Sequence, residues 1–169
     1  AIIMRGTIED PILIHSSDQT ANGFSVIGAK ESSSLAFARF EHFNTLNREQ
    51  WSLTGAVNFY ESPVEIRQCA FLKNHCEDAL NIVRADFTIN NSTIRTPRAD
   101  GFDSDFSKGY VKDSLFERTG NDAVDVSGTS LELDNVRFID IGDKAVSVGE
   151  ESTLMARGLE IKGSSTGLA

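Results

Sequence analysis

The sequence predicts an all-β fold, a parallel β-helix (solenoid) with about 22 residues per coil and three short strands in each. Three observations carry this expectation. First, "EDALNIV" (77–83), "ADGFDSD" (99–105), "NDAVDVS" (121–127) and "DKAVSVG" (143–149) follow one another at steps of 22 residues. Second, the remainder of each repeat keeps the same step: Asn91, Asp113 and Asn135 recur, as do Ile94, Phe116 and Phe138. Third, the segments alternate apolar and polar residues, as strands with one face in a core do. Asp78, Asp100, Asp122 and Lys144 form one column of the repeat, and Leu80, Phe102, Val124 and Val146 form an apolar one. Stacked at about 4.8 Å per coil, such columns become ladders along the solenoid.

The elements follow in chain order. Residues 1–33 read as irregular N-terminal rungs or a cap, with "PILIH" and "GFSVIG" as strands. Regular coils fill 34–169, and the whole chain reads as one β-helix domain. "SLAFARFEHF" (34–43) is an early copy, lengthened by the loop "NTLNREQWSLTG" (44–55). "GAVNFYE" (55–61) is the next, at a step of 23 to the following rung. Taken alone, "CEDALNIVRAD" (76–86) has the composition of a helix. Its repeats alternate with period two, and the repeat decides for a strand. "VEI", "FTI", "YVK" and "LEL" supply the second strand of successive coils. The column of Gln68, Asn91, Asp113 and Asn135 suits a tight turn, because Asn and Asp tolerate left-handed backbone geometry. "SVGEEST" (147–153) is a turn. "TGLA" at the end matches the start of "KAVSV", so the chain reads as a piece of a longer solenoid, or as an end that packs against a partner.

Composition narrows the function. There are 25 acidic and 16 basic residues, for a net charge of −9. That argues against nucleic acid and anionic membranes as main partners. An acidic glycan needs a bridging divalent cation. No run reaches the length of a membrane span. Cys69 and Cys76 are too few for a disulfide framework or a zinc cluster and read as free thiols, a local disulfide being the alternative. Cys69 aligns with Ser92, Ser114 and Val136 and is expected to point inward. His15, His42 and His75 lack metal-ligand spacing and read as surface or turn residues.

The chemistry concentrates on one strand. In "ADGFDSD" alternation turns Phe102 inward and Asp103 and Asp105 outward. The expected patch is Asp78, Asn81, Asp100, Asp103, Asp105, Asp122 and Asp125, extended by Asn58 and Ser147. Asp103 and Asp125 stack about 4.8 Å apart, and like charges so close raise a pKa unless a cation intervenes. Three readings are open. One carboxyl keeps its proton and acts as a general acid, with Asp100, Asp103, Asp122 and Asp125 as the catalytic candidates. Ca²⁺ binds, with Asp103, Asp105 and Asp125 as ligands. Or the ladder is a solvated face, partly neutralised by Arg84, Arg98, Lys108 and Lys144. An EF-hand is excluded, since the sixth place from Asp103 is Lys108 and the twelfth is Ser114. Tyr60 aligns with Val83 and Asp105 and, with Trp51, offers an aromatic surface for sugars. Asn58, Tyr60, Asn81, Arg84, Lys108 and Lys144 are the candidate substrate-binding residues.

These residues resemble the pectate-lyase-like right-handed parallel β-helix superfamily, well over 34–169 and loosely over 1–33. A narrower likeness is to polygalacturonase-type glycoside hydrolases. "RADGFD" (98–103) is similar to their Asn-Thr-Asp-Gly motif, with Asp100 at the aspartate. "GNDAVDV" (120–126) is similar to their Asp-Asp motif, with Asn121 and Asp122 in place of two aspartates. "GDKAVSVG" (142–149) stands where Gly-His-Gly is expected and has Asp143 or Lys144 at the histidine. The resemblance implies a polysaccharide or oligosaccharide partner, lyase or hydrolase chemistry, and an extracellular or cell-envelope location. The rival expectation is a noncatalytic surface scaffold.

Overall fold

The computed structural model describes residues 1–48 and 51–169, the side chains of Arg48 and Trp51 excepted. It is a parallel β-solenoid of about seven turns of about 23 residues, three strands to a coil, without a helix among the described residues. The first sheet contains Ile3–Arg5, Ser33–Ala36, Val64–Arg67, Asp86–Asn90, Lys108–Lys112, Ser130–Asp134 and Thr153–Arg157. The second contains Ile12–His15, Ala38–Glu41, Ala70–Leu72, Thr93–Arg95, Leu115–Glu117, Arg137–Ile139 and Glu160–Lys162. The third contains Phe24–Ile27, Gly55–Tyr60, Asp78–Val83, Asp100–Asp105, Val124–Ser127, Lys144–Val148 and Thr166–Leu168.

The repeat columns are the pairing register. Leu80 faces Phe102, Phe102 faces Val124, and Val124 faces Val146. Lys144 pairs with Thr166 and Val146 with Leu168, so "TGLA" takes the place the alignment gave it. Residues 78–83 form a strand despite their helical composition, because Leu80 and Ile82 must both enter the core between Val57 and Phe59 on one side and Phe102 and Ser104 on the other. The second sheet lines the interior with the ladder Ile14, Phe40, Phe71, Ile94, Phe116, Phe138 and Ile161. Phe40 stacks on Phe71 and Phe116 on Phe138, both with ring centroids 5.3 Å apart. Phe87 meets Phe102 edge-on at 5.1 Å and ties the first sheet to the third.

All three corners use left-handed residues. Between the first and second sheets Phe37, Gln68, Asn91, Asp113 and Asn135 have φ of 49–54°. In each, the backbone N–H donates to the coil above, as from Asn91 to the Lys112 carbonyl and from Asp113 to the Asp134 carbonyl. The next residue points inward: Cys69, Ser92, Ser114 and Val136 are all buried. Ser92 and Ser114 accept from the backbone N–H of the preceding coil, at 3.2 and 3.1 Å. The corner between the third and first sheets repeats this device with Ser62, Ser107 and Thr129. Cys69 and Cys76 are both buried free thiols.

Segment 44–55, read as a loop, instead carries an antiparallel hairpin of Leu46–Arg48 with Trp51–Leu53. Its base is held by Asn44, which bridges to Asn22 on one side and His75 on the other.

Two glycines at the entry to the third sheet have no room for a side chain. A Cβ on Gly120 would lie 2.0 Å from the Arg98 carbonyl oxygen, and one on Gly142 would lie 2.3 Å from that of Gly120. Backbone cannot retreat as a flexible side chain does. Gly120→Ala is therefore expected to cost about 1–3 kcal/mol of stability, read from the urea midpoint. An unchanged midpoint would contradict the tight stacking.

Candidate functional site

The outer face of the third sheet carries the residues singled out in the sequence. Phe102 and Ser104 point into the core and are fully buried, while Asp103 and Asp105 stand outward and half-buried. Register builds one outward ladder, Ser25–Asn58–Asn81–Asp103–Asp125–Ser147. A second runs beside it, Ile27–Tyr60–Val83–Asp105–Ser127.

Asp103, Asp105 and Asp125 are partly exposed on this face. Asn58, Asn81, Asp78, Asp100 and Asp122 are buried. Asp100 Oδ1 accepts from the Asp122 backbone N–H and from Asn121 Nδ2, both at 2.8 Å. Asp122 repeats the bond one coil on, accepting the Lys144 backbone N–H at 2.9 Å and pairing with its Nζ at 3.2 Å. These two carboxylates staple successive coils at the start of the strand. Asn58 closes its own turn, accepting from the Gly55 N–H at 3.0 Å and donating to the Gly55 carbonyl at 2.7 Å.

Asn81 lies between two carboxyls. Its Nδ2 is 2.8 Å from Asp103 Oδ2, 3.1 Å from Asp78 Oδ2 and 3.1 Å from Thr54 Oγ1. An amide has two hydrogens, so one of the three oxygens goes without. Burial, followed by the charges of Asp78, Asp105, Asp125 and Asp100, pushes the Asp103 carboxyl up to about 8. Burial also raises Asp78, to about 6, against the pull of hydrogen bonds from Thr54 and Asn81. Asp100 and Asp105 are raised as well, burial again being the main cause. The upward shift favours the protonated carboxylic acid at Asp103, whose Oδ2 accepts from Asn81. Among the described residues no group of three or more His, Cys, Asp or Glu side chains is arranged to hold a metal ion.

The cationic candidates divide. Arg84 Nη1 donates to the Tyr60 hydroxyl at 2.7 Å. Its guanidinium lies 6.0 Å from the Tyr60 ring centroid and 5.5 Å from that of Phe106. Lys108 and Arg84 line a groove of about 450 Å³ with Glu61, Asp86 and Phe106. Lys144 belongs elsewhere: its ammonium is held by Asp143 at 2.8 Å and by Asp122, and these bonds raise its pKa.

Phe106 is the residue that sequence reasoning missed. It occupies a left-handed corner at φ 50° and is 61% exposed. The available signal was a large aromatic in the corner column that Arg84 and Gly128 share. Trp51, paired with Tyr60 in the sequence reading, has its side chain outside the described residues.

No protein-family model matches the chain, and no curated protein matches it. Among the described residues no helix is long and apolar enough to cross a membrane.

Proposed function

We propose that the third-sheet face recognises a polysaccharide, in the manner implied by the resemblance to pectate-lyase-like β-helices, outside the cell or in its envelope. The observation that carries this is the outward ladder. Its partly exposed stretch offers one hydrogen-bonding side chain per coil, Asp103, Asp125 and Ser147. A repeating polymer laid along the solenoid axis meets a repeating surface of about 4.8 Å step. The Tyr60–Arg84–Phe106 cluster beside it supplies aromatic faces for the apolar faces of sugar rings. In a glycan-cleaving version Asp103, protonated, is the general acid and Asp125 the second carboxyl; Asp100 and Asp122 are structural staples. Ca²⁺ at Asp103, Asp105 and Asp125 is the cation-bridged version of the same recognition. The staples favour a second reading, a noncatalytic scaffold, because they account for two of the aspartates without a ligand.

An oligosaccharide panel tests both. Neutral and uronic-acid oligosaccharides are screened by calorimetry, with and without CaCl₂, and their turnover is followed by product chromatography. Binding is expected to weaken about tenfold, or ~1.4 kcal/mol, in Asp103→Asn and in Tyr60→Ala. Absence of binding and turnover across the panel would leave the scaffold reading in possession.

A further inference from the structure

The corner between the second and third sheets holds a groove of the opposite electrostatic character. His42 and His75, on successive coils, stack with ring centroids 6.2 Å apart and planes at 25°. Each ring buries a nitrogen, His42 Nδ1 and His75 Nε2, with no hydrogen-bond partner among the described residues. The two rings border a groove of about 390 Å³, a size typical of small-molecule sites, with Gln19, Lys73, Thr96 and Arg98 around it. Lys73 and Arg98 form no salt bridge among the described residues, and no Asp or Glu lines the groove. In a chain of net charge −9 this is a local reversal of sign.

We propose that this groove binds a tetrahedral oxyanion, the phosphate or sulfate group of a monoester. Lys73 with His75, and Thr96 with Arg98, come from two adjacent coils about 4.8 Å apart, so both cationic side chains are within reach of one small anion. That pairing suits a compact anion, and charge-assisted bonds from Lys and Arg supply the strongest contacts. A bis-histidine transition-metal site is the competing use of two imidazoles. It is disfavoured here because Lys73 and Arg98 would repel the cation and no carboxylate completes the ligand set. The groove is separate from the acidic strand face, and the proposal stands independently of polysaccharide recognition.

The test is calorimetry on the full chain with inorganic phosphate, sodium sulfate, glucose 6-phosphate, glucose and NiCl₂. Saturable binding of one site per chain is expected for phosphate, sulfate or both, and their relative affinity separates the two ester classes. Glucose is expected not to bind. Lys73→Gln and Arg98→Gln, both at exposed positions, are each expected to weaken oxyanion binding at least about tenfold with the thermal midpoint unchanged. His42→Gln is expected to weaken it as well, and Asp103→Asn to leave it as it was. Absence of saturable oxyanion binding overturns the proposal. So does binding that survives Lys73→Gln and Arg98→Gln, or Ni²⁺ binding without oxyanion binding.

Discussion

Asp103→Asn is expected to stabilise the fold at pH 8–9 by about 2–4 kcal/mol, and to flatten the dependence of stability on pH. The folded chain holds the Asp103 proton up to about pH 8, whereas an ordinary aspartate, with its pKa of 3.8, has lost it long before. Between those values the unfolded chain releases a proton that the folded chain keeps. Stability is therefore full below pH 3.8, falls as pH rises, and levels off above about 8. Asp78, raised to about 6, steepens the lower half of the same window. Asp103 is partly exposed to solvent, which screens its charge, so the expected change is smaller than the whole displacement implies. Asn cannot ionise, and its amide retains a partner for the Asn81 side chain. Urea denaturation at about pH 5 and about pH 9 reads this directly. Equal stabilities of the parent chain at the two values would mean that Asp103 ionises freely and that the site holds no proton.

Phe116→Ala is expected to cost about 3–5 kcal/mol, the usual range for emptying a buried aromatic position. Phe116 is 1% exposed, stacks on Phe138, and sits against Ile94 in the coil before. Each coil of a solenoid is stabilised mainly by its two neighbours, so the loss falls on both contacts of an interior rung. Chemical denaturation gives the magnitude, and amide exchange gives its distribution. Opening concentrated in residues 93–139 is expected, with the coils around Phe40 and Phe71 less affected. A loss below about 1 kcal/mol would mean that the interior repacks around the gap.

The parts of the fold legible in the sequence were those under one repeated constraint. Leu80, Phe102, Val124 and Val146 recur because each must fill the same interior place, so their columns and their register coincide. Residues 78–83 were legible as a strand only through their repeats, since tertiary packing overrides their helix propensity. The Asn91–Asp113–Asn135 corner was visible because Asn and Asp accept its geometry. Phe37, Arg84, Phe106 and Thr96 occupy the same left-handed region without being suited to it, and residue type gave no warning there. Alternation correctly turned Asp103 and Asp105 outward. It could not reveal that Asp100 and Asp122 are committed to backbone N–H groups on the next coil, because that depends on stacking distance. The His42–His75 pair was invisible for the related reason that the hairpin insertion separates the two by 33 residues instead of one regular repeat.

That hairpin has a wider consequence. Leu46–Arg48 and Trp51–Leu53 add a strand pair to one coil, yet Phe40 and Phe71 on either side of it stack 5.3 Å apart, as Phe116 and Phe138 do where no insertion intervenes. The corner insulates the interior from whatever is spliced into it. New chemistry can be acquired there by lengthening a single turn, and lost again, without renegotiating the rest of the architecture. For protein engineering the Asn44 corner is accordingly a graft point, where a foreign binding loop would inherit a rigid base and a fixed position beside the acidic strand.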